Sequence, residues 1–89
     1  MTSDREAVNQ DIRQVVATHA RLPVDVGTVS DGADLFEAGM SSHASVNLML
    51  ALEDHFDVEF PDTMLTRGVF QSISAIEGAL LELQRRAAA

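Results

Sequence analysis

The chain has 89 residues, 46% of them hydrophobic, with four Phe as its only aromatic residues and no Cys. This length predicts one compact domain over residues 1–89 and excludes a two-domain enzyme with a cleft between its halves. Fourteen acidic residues against six Arg give a formal net charge of −8, which disfavours binding to the phosphates of nucleic acids.

The first predicted helix begins at Ser3-Asp4-Arg5-Glu6, which fits a capping box. The side chains expected on its inner face recur three and four residues apart: Val8, Ile12, Val15, Val16 and His19. The helix should end near Ala20, because Pro23 cannot continue it. The pattern therefore predicts an amphipathic helix whose apolar face is completed by His19.

A long loop is expected between the first helix and the second. The segment up to Gly39 is rich in Val, Gly, Asp and Ser, and it exceeds the usual length of a connection inside a compact domain. One turn of helix at residues 33–38 should place Leu35 and Phe36 in the core. Long loops are frequently functional, so the end of this loop is a candidate site.

The second helix is predicted from Ser41 or Ser42 to about Phe56, because Ser is a favoured N-cap and no Pro or Gly interrupts the segment. One apolar stripe of this helix comprises Ser45, Leu48, Met49, Leu52 and Phe56. Val46 and Leu50 form a second stripe, rotated away from the first. The first stripe should face the core, whereas the second faces either a partner or the core, and the sequence leaves both open.

After the second helix, residues 57–60 alternate like a strand, but no pairing segment follows, so an extended link is predicted. A short helical turn should start at Pro61-Asp62 and continue through Leu65. Gly68 would end this turn. This region supplies the one short helix of the predicted fold.

The last predicted helix has Ser72 or Ser74 as its cap, and Ser74-Ala75-Ile76-Glu77 fits a second capping box. Its apolar residues again recur three and four apart: Ile73, Ile76, Leu80 and Leu83. Arg85 and Arg86 near its end suit the helix dipole. The fold class is therefore all-α, with three main helices, one short helix and a long first loop.

The sequence indicates neither catalysis nor metal binding. The run Ser41-Ser42-His43 places hydroxyls beside an imidazole, but successive side chains at a helix start diverge by about 100°, so neighbours do not form a nucleophile and base pair. His19, His43 and His55 lack close ligand spacing, and residues 31–35 place Ala and Leu where a calcium loop needs oxygens. We therefore expect no catalytic residue, no metal site and no enzyme.

Residues 34–46 place a loop, a Gly and exposed hydroxyls directly before a helix. A helix start has unpaired amides and the positive end of the dipole, so a phosphodiester attached to a serine there would meet a favourable field. The simpler interpretation, that Ser41 or Ser42 is only an N-cap, remains open at this point.

The chain resembles the acyl and peptidyl carrier protein family around its phosphopantetheine attachment serine. The residues that carry this resemblance are Leu35-Phe36, Gly39, Ser42, Val46, Leu48 through Leu52, Glu53 and Phe56. Residues 58–62 are similar to the start of the family's short third helix, and residues 70–73 to the start of its last helix. The resemblance implies an acyl-carrier-protein-like four-helix bundle and 4'-phosphopantetheine, derived from coenzyme A, covalently attached to Ser42.

The attachment site departs from the family pattern, since Ser41-Ser42-His43 stands where the family usually has Asp-Ser-Leu. Counted from Gly39, Ser42 rather than Ser41 lies at the position of the family's attachment serine. The run 39–42, together with residues 44–46 and 59–62, is most similar to the small bacterial aminoacyl carrier proteins. That resemblance implies a small amino acid, glycine or alanine, held as a thioester and loaded by a stand-alone ligase similar to the catalytic part of a class II aminoacyl-tRNA synthetase.

Three partners follow from the resemblance: a phosphopantetheinyl transferase, an amino acid:carrier protein ligase and an unknown downstream acceptor enzyme. The expected recognition surface is the helix from about Ser42 to Phe56, with contacts through Met40, Ser41, His43, Val46, Leu50 and Glu53. Nine acidic residues and no Lys or Arg lie between Arg21 and Arg67, so this part of the chain either attracts basic partners or is simply solvated.

Two alternatives to an aminoacyl carrier remain open. One is an acyl carrier protein for specialised lipid or polyketide synthesis, and the other is an acidic helical adaptor that docks through Val46 and Leu50 without covalent modification. No apolar run reaches the length of a membrane span, and the N-terminus lacks a signal-peptide pattern. We expect a monomeric cytoplasmic protein with no membrane partner, and the absence of Cys suits that reducing compartment.

Overall fold

The computed structural model describes residues 4–88. These residues form three α-helices: α1 spans Asp4–His19, α2 spans Ser42–Phe56 and α3 spans Ile73–Ala88. Three short 3-10 turns lie between them, at Val26–Thr28, Asp62–Met64 and Arg67–Phe70. The described residues contain no strand, and α1 packs against both α2 and α3. The all-α class predicted from the sequence is confirmed.

Helix α1 buries one apolar face, as its periodicity predicts. Ile12, Val15 and Val16 are buried, but His19 is exposed and the next residue, Ala20, is buried instead. Ala20 lies four and eight residues after Val16 and Ile12, on the same helical row, whereas His19 lies outside that row. The prediction for His19 was therefore wrong. The predicted capping box of α1 includes Ser3, which lies outside the described residues.

The first loop is fastened to α1 by Arg13. The Arg13 guanidinium donates from Nη1 to the carbonyls of Val26 and Val29, each at 2.8 Å, and from Nη2 to Asp31 Oδ1 at 2.5 Å. Its Nε donates to Asn9 Oδ1 at 3.0 Å, one turn earlier on the same helix. A single planar side chain thus satisfies acceptors on three loop residues while its own orientation is held from α1.

Asn9 extends this network from the loop to α3. Its Nδ2 donates to Asp31 Oδ1 at 3.0 Å and to Glu77 Oε2 at 3.2 Å. Glu77 is only 7% exposed. Asn9 therefore connects α1, the first loop and a buried carboxylate of α3.

The end of the first loop is held by buried anchors. Leu35 and Met40 are both buried, and the Leu35 amide donates to the carbonyl of Gln71 at 2.7 Å. Gly39, between the anchors, has φ = 124°, and a Cβ there would lie 2.7 Å from Pro23 Cδ. Only glycine fits this conformation and this close approach, so Gly39 lets the chain turn toward α2.

Phe36 occupies a different place from the one predicted. It is half-buried at the edge of the core rather than inside it, because Leu35 takes the inward position of this turn. The Phe36 ring lies beneath the Arg67 guanidinium, 4.0 Å from its Cζ. The ring therefore faces the surface between the first loop and the segment before α3.

The segment directly after α2 is extended, as predicted. Two separate 3-10 turns follow it, where one short helix was predicted. Phe60 and Phe70 are buried and meet edge to face, with ring centroids 5.3 Å apart. The prediction that Gly68 ends a single turn was wrong, because Gly68 lies inside a second 3-10 turn, Arg67–Phe70. Burial of Phe70 draws this segment back to the core after the turn at Asp62–Met64. Two 3-10 turns thus stand in place of one short helix.

Helix α3 begins one residue after Ser72. Ser72 Oγ accepts the amide of Ala75 at 3.1 Å, which is the N-cap arrangement. Ser74 lies inside the helix, and Glu77 points into the protein toward Asn9, so the predicted Ser74–Glu77 capping box was wrong. The predicted inner face is confirmed by the burial of all four apolar residues: Ile73, Ile76, Leu80 and Leu83. No helix in residues 4–88 combines the length and the apolar character needed to cross a bilayer.

We predict that Arg13→Lys lowers the free energy of unfolding by about 1–3 kcal/mol, because one ammonium cannot reach all the acceptors that the guanidinium holds. Denaturation by guanidinium chloride measures this change. The matched control is Arg21→Lys, at an exposed position, which should change the stability by less than about 0.5 kcal/mol. Equal losses in the two variants would contradict the role given to Arg13.

Asp31 should make the stability of the fold depend on acid. Hydrogen bonds from the Asn9 and Arg13 side chains hold the pKa of Asp31 below its ordinary value of 3.8. A carboxyl whose folded-state pKa is lowered stabilises the fold above that ordinary value, and this contribution is lost as pH falls through the folded-state pKa. The free energy of unfolding of wild type should therefore exceed that of Asp31→Asn at neutral pH. The difference should be about 1 kcal/mol or less, since Asp31 is largely exposed. Urea denaturation should show this difference shrinking below about pH 4, and a difference unchanged down to about pH 2 would contradict it.

Candidate functional site

The two adjacent serines at the start of α2 have different structural roles. Ser41 is the N-cap, and its Oγ accepts the amide of Ala44 at 3.0 Å. Ser42 is the first helical residue, and its exposed hydroxyl forms no hydrogen bond with any residue from 4 to 88. Ser41 therefore caps the helix, and Ser42 keeps an available hydroxyl. The sequence alone did not show which of the two serines is the cap.

The backbone around Ser42 provides a positive electrostatic environment. The Ala44 amide is occupied by Ser41 Oγ, and the Ser45 amide donates to the Ser41 carbonyl at 3.0 Å. The amides of Ser42 and His43 have no such partner among the described residues, as expected for the first turn of a helix. Together with the helix dipole, they favour an anionic group attached to Ser42 Oγ.

A groove of about 490 Å³ lies next to Ser42. Four of its residues lie on one face of α2, at spacings of three and four: Ser42, Ser45, Val46 and Met49. The remaining lining residues come from the first loop and the segment before α3: Phe36, Leu65, Thr66, Arg67 and Phe70. The lining is mostly apolar and contains no carboxylate.

Arg67 is the only charged residue among the described residues that line this groove. It is also the only Lys or Arg between residues 22 and 84 of the sequence. Its position over the Phe36 ring is that of a cation–π pair. Sequence reasoning did not assign Arg67 to the site, although an isolated base within an acidic stretch was a visible signal.

Asp34 lies beside Arg67 but outside the groove lining. Burial raises the pKa of Asp34, but hydrogen bonds from the Gln71 side chain and from the Glu37 and Phe36 amides, with the Arg67 charge, lower it on balance. Asp34 is therefore ionised at neutral pH, and its oxygens are used to hold the loop turn that carries Phe36.

The second apolar stripe of α2 faces solvent. Val46 is 51% exposed and Leu50 is 54% exposed, whereas Leu48 and Leu52 on the first stripe are fully buried. This resolves the question left open by the sequence, because α1 covers only one side of α2. The stripe lies on the same helix as Ser42 and begins one turn after it.

Two residues of the predicted partner surface have contacts inside the protein. Met40 is 3% exposed, because it anchors the end of the first loop, so its side chain presents no contact surface. Glu53 is half-buried, and its Oε2 accepts the amide of Phe60 at 2.9 Å. Ser41, His43, Val46 and Leu50 are exposed and remain available to a partner.

The His residues do not come together. His55 lies 3.9 Å from the Asp11 carboxylate, whereas His43 lines a smaller groove on the other side of the α2 start, with Arg21 and Asn47. Within the described part of the chain, no group of three or more His, Cys, Asp or Glu is arranged to hold a metal ion.

Comparison with known proteins identifies the family. The family described as "Phosphopantetheine attachment site" matches residues 10–80. The aminoacyl carrier protein of Agrobacterium fabrum is 53% identical over 70 residues, which cover 79% of this chain and 84% of that protein.

Two solved structures are also similar. One is a complex of an engineered Bradyrhizobium japonicum glycine:[carrier protein] ligase with a carrier protein from Agrobacterium tumefaciens and ATP, with a TM-score of 0.82 and 49% identity over 84% of this chain and 97% of that chain. The other is the Bradyrhizobium japonicum ligase complexed with glycylated carrier protein, with a TM-score of 0.71 and 30% identity over 82% of this chain and 97% of that chain.

Family membership defines the cofactor and the kind of activity. The cofactor is a covalently attached 4'-phosphopantetheine, and the exposed hydroxyl of Ser42 at a helix start, next to a carboxylate-free groove, fits such a group. A carrier of this family is not itself catalytic, and in the similar complexes the ligase is a separate enzyme. The chain belongs to the phosphopantetheine-binding carrier proteins and, within them, to the aminoacyl carrier proteins.

Proposed function

We propose that this chain carries a small amino acid, with glycine as the first candidate, as a thioester on a 4'-phosphopantetheine arm attached to Ser42. The observation that carries the choice of residue is the division of roles between the two serines. Ser41 Oγ is engaged as the N-cap of α2, while the Ser42 hydroxyl is exposed and has no hydrogen-bond partner among residues 4–88. Ser42 can therefore be modified without loss of the cap that starts the helix.

Ser42 acts as the nucleophile when a phosphopantetheinyl transferase modifies the chain. Its hydroxyl loses a proton and its oxygen attacks the coenzyme A phosphorus that is attached to pantetheine; the pyrophosphate P–O bond breaks, and adenosine 3',5'-bisphosphate leaves. The first-turn amides and the dipole of α2 stabilise the negative charge of the resulting phosphodiester. The arm supplies the thiol that the chain, without Cys, does not contain.

The choice of glycine is supported by the relatives. Two similar structures are complexes with glycine:[carrier protein] ligase, and one of them contains a glycylated carrier protein. We infer that a stand-alone amino acid:carrier protein ligase loads this chain, and that a separate acceptor enzyme then takes the aminoacyl group. The exposed residues Val46 and Leu50, with Ser41 and His43, form the surface that these partners contact.

The attachment site can be tested by intact-mass measurement after incubation with coenzyme A and a broad-specificity phosphopantetheinyl transferase. Wild type should gain one phosphopantetheine and Ser42→Ala none, because only Ser42 presents an available hydroxyl at the helix start. The matched control Ser41→Ala should still be modified but lose about 1 kcal/mol of stability, since it lacks the N-cap. Modification of Ser42→Ala would reject the assignment, and an unmodified wild type would favour a non-covalent adaptor.

The partner surface can be tested with Val46→Asp and Leu50→Asp. Each change should weaken binding to a glycine:[carrier protein] ligase about tenfold or more, because a charge would enter an apolar contact. Helicity measured by circular dichroism should be retained, since both side chains are about half exposed. Val24→Asp is the matched control, because Val24 has similar exposure but lies outside α2. Equal weakening by all three variants would contradict recognition through α2.

A further inference from the structure

Two adjoining depressions lie where the end of α1 meets α2. They have volumes of about 220 Å³ and 350 Å³ and share two lining residues, Arg21 and Asn47. The smaller depression reaches Ser41 and His43, and the larger one continues along α2 to Leu50. We call the two together the α1–α2 cleft. It shares no lining residue with the large groove of about 490 Å³, so it uses a different side of α2.

Arg21 lies in the middle of this cleft and has no partner inside the protein. It is exposed, and its guanidinium forms no hydrogen bond, ion pair or ring contact with any residue from 4 to 88. The later arginines of the chain each contact a carbonyl, an aromatic ring or a carboxylate: Arg13, Arg67, Arg85 and Arg86. A guanidinium has five N–H donors and no acceptor. The donors of Arg21 are therefore free for an acceptor from another molecule.

The backbone at Arg21 is unfavourable for a residue with a side chain. Its φ is 55°, in the left-handed region, directly after Ala20, whose amide still donates to the Val16 carbonyl at 2.9 Å. Glycine is the usual residue where a helix ends in this conformation, because it has no Cβ to clash. A positive charge suits the end of α1. Strained positions of this kind are common at functional sites, and this one holds an unpartnered guanidinium at the surface.

The smaller end of the cleft favours an anion. No Asp or Glu lines it, and the side chains of His43 and Asn47 add hydrogen-bond donors beside Arg21. The one carboxylate of the cleft, Asp54, lines the larger depression, about 10 Å along α2 from Asn47. In a chain with a net charge of −8, this is a local region of opposite polarity. An acidic group is attracted to it and a basic group is not.

The shape of the cleft favours a protein segment over a small anion. Its polar groups are spread over two depressions, whereas small-molecule sites bring a few polar groups together in one pocket. Gly39 and Ala51 are small, and Leu50, which is 54% exposed, offers an apolar contact next to the donors. Such a mixture of apolar and polar groups is typical of protein interfaces. A partner segment can cover Leu50 and place a carboxylate on Arg21.

We propose that the α1–α2 cleft docks an acidic segment of the amino acid:carrier protein ligase, and that Arg21 pairs with a carboxylate of that segment. The contact is opposite in sign to the attraction of basic partners that the acidic middle of the chain suggests. It adds the end of α1 to the surface formed by Val46 and Leu50. Two contacts on different sides of α2 fix the rotation of the carrier about this helix, and hence the direction in which Ser42 faces the ligase. The identity of the partner rests on the proposed function.

Affinity measurements test the pair. The engineered Bradyrhizobium japonicum glycine:[carrier protein] ligase described above is titrated with the phosphopantetheine form of each variant by isothermal titration calorimetry. Arg21→Gln should weaken binding about fivefold or more, and Arg21→Glu about twentyfold or more, because charge reversal adds repulsion. These losses should shrink as NaCl rises from about 50 to about 500 mM, since salt screens the pair. Arg85→Gln removes the same charge outside the cleft and should bind as wild type.

A cross-link can identify the acidic partner group. The chain contains no Lys, so Arg21→Lys introduces the only side-chain amine. This variant should bind more tightly than Arg21→Gln, because it keeps the charge. In its complex with the ligase, a carbodiimide should join residue 21 to an Asp or Glu of the ligase through an amide bond, which peptide mass spectrometry locates. Arg85→Lys is the matched control and should give no such link at residue 85.

The possible failures are distinguishable. If the ligase does not bind wild type, the partner named in the proposed function is wrong, and this inference with it. If Val46→Asp weakens binding but Arg21→Gln does not, only the docking of an acidic segment is wrong. Equal affinities of Arg21→Lys and Arg21→Gln, or coupling of residue 21 only to acids of its own chain, would also reject it. Arg21 is exposed, so circular dichroism should show the wild-type helix content in each variant.

Discussion

The hydrogen bonds of the Arg13 guanidinium with the first loop set the position from which α2 begins. By holding the carbonyls of Val26 and Val29, Arg13 satisfies backbone acceptors that a long irregular segment otherwise exposes. The loop then follows a defined path to its buried anchors, Leu35 and Met40. Ser41 therefore arrives where it caps α2, and the next residue is left outside the core. An arm attached there has a fixed origin because the loop has a fixed path.

Charge is distributed unevenly around Ser42 at the start of α2. The chain carries a net charge of −8, which would repel an anionic phosphodiester on Ser42 if carboxylates surrounded this residue. The groove next to Ser42 contains no carboxylate, and it contains Arg67. The first-turn amides of α2 add to the same field. The start of α2 at Ser42 is therefore electrostatically suited to a phosphate group.

Helix α2 has separate internal and external faces. Leu48 and Leu52 pack into the core, while Val46 and Leu50 lie half exposed on the turns after Ser42. A partner that contacts these two side chains would therefore leave the core untouched. Residues 4–88 form only three α-helices, and α1 packs against α2 without covering Val46 and Leu50. Val46 and Leu50 therefore remain exposed because so few helices are available to cover α2.

The sequence by itself determined the helices and their inner faces, because helical periodicity and the preference of Ser for N-caps are local properties. Its resemblance to carrier proteins also pointed to Ser42. It did not determine which serine caps each helix or which side chains become exposed. The Leu35 amide meets the Gln71 carbonyl, Asn9 meets Glu77 and Arg67 meets Phe36, and each pair is separated by more than thirty residues. Only the tertiary structure brings such groups together, because their contact depends on the path of the whole chain between them.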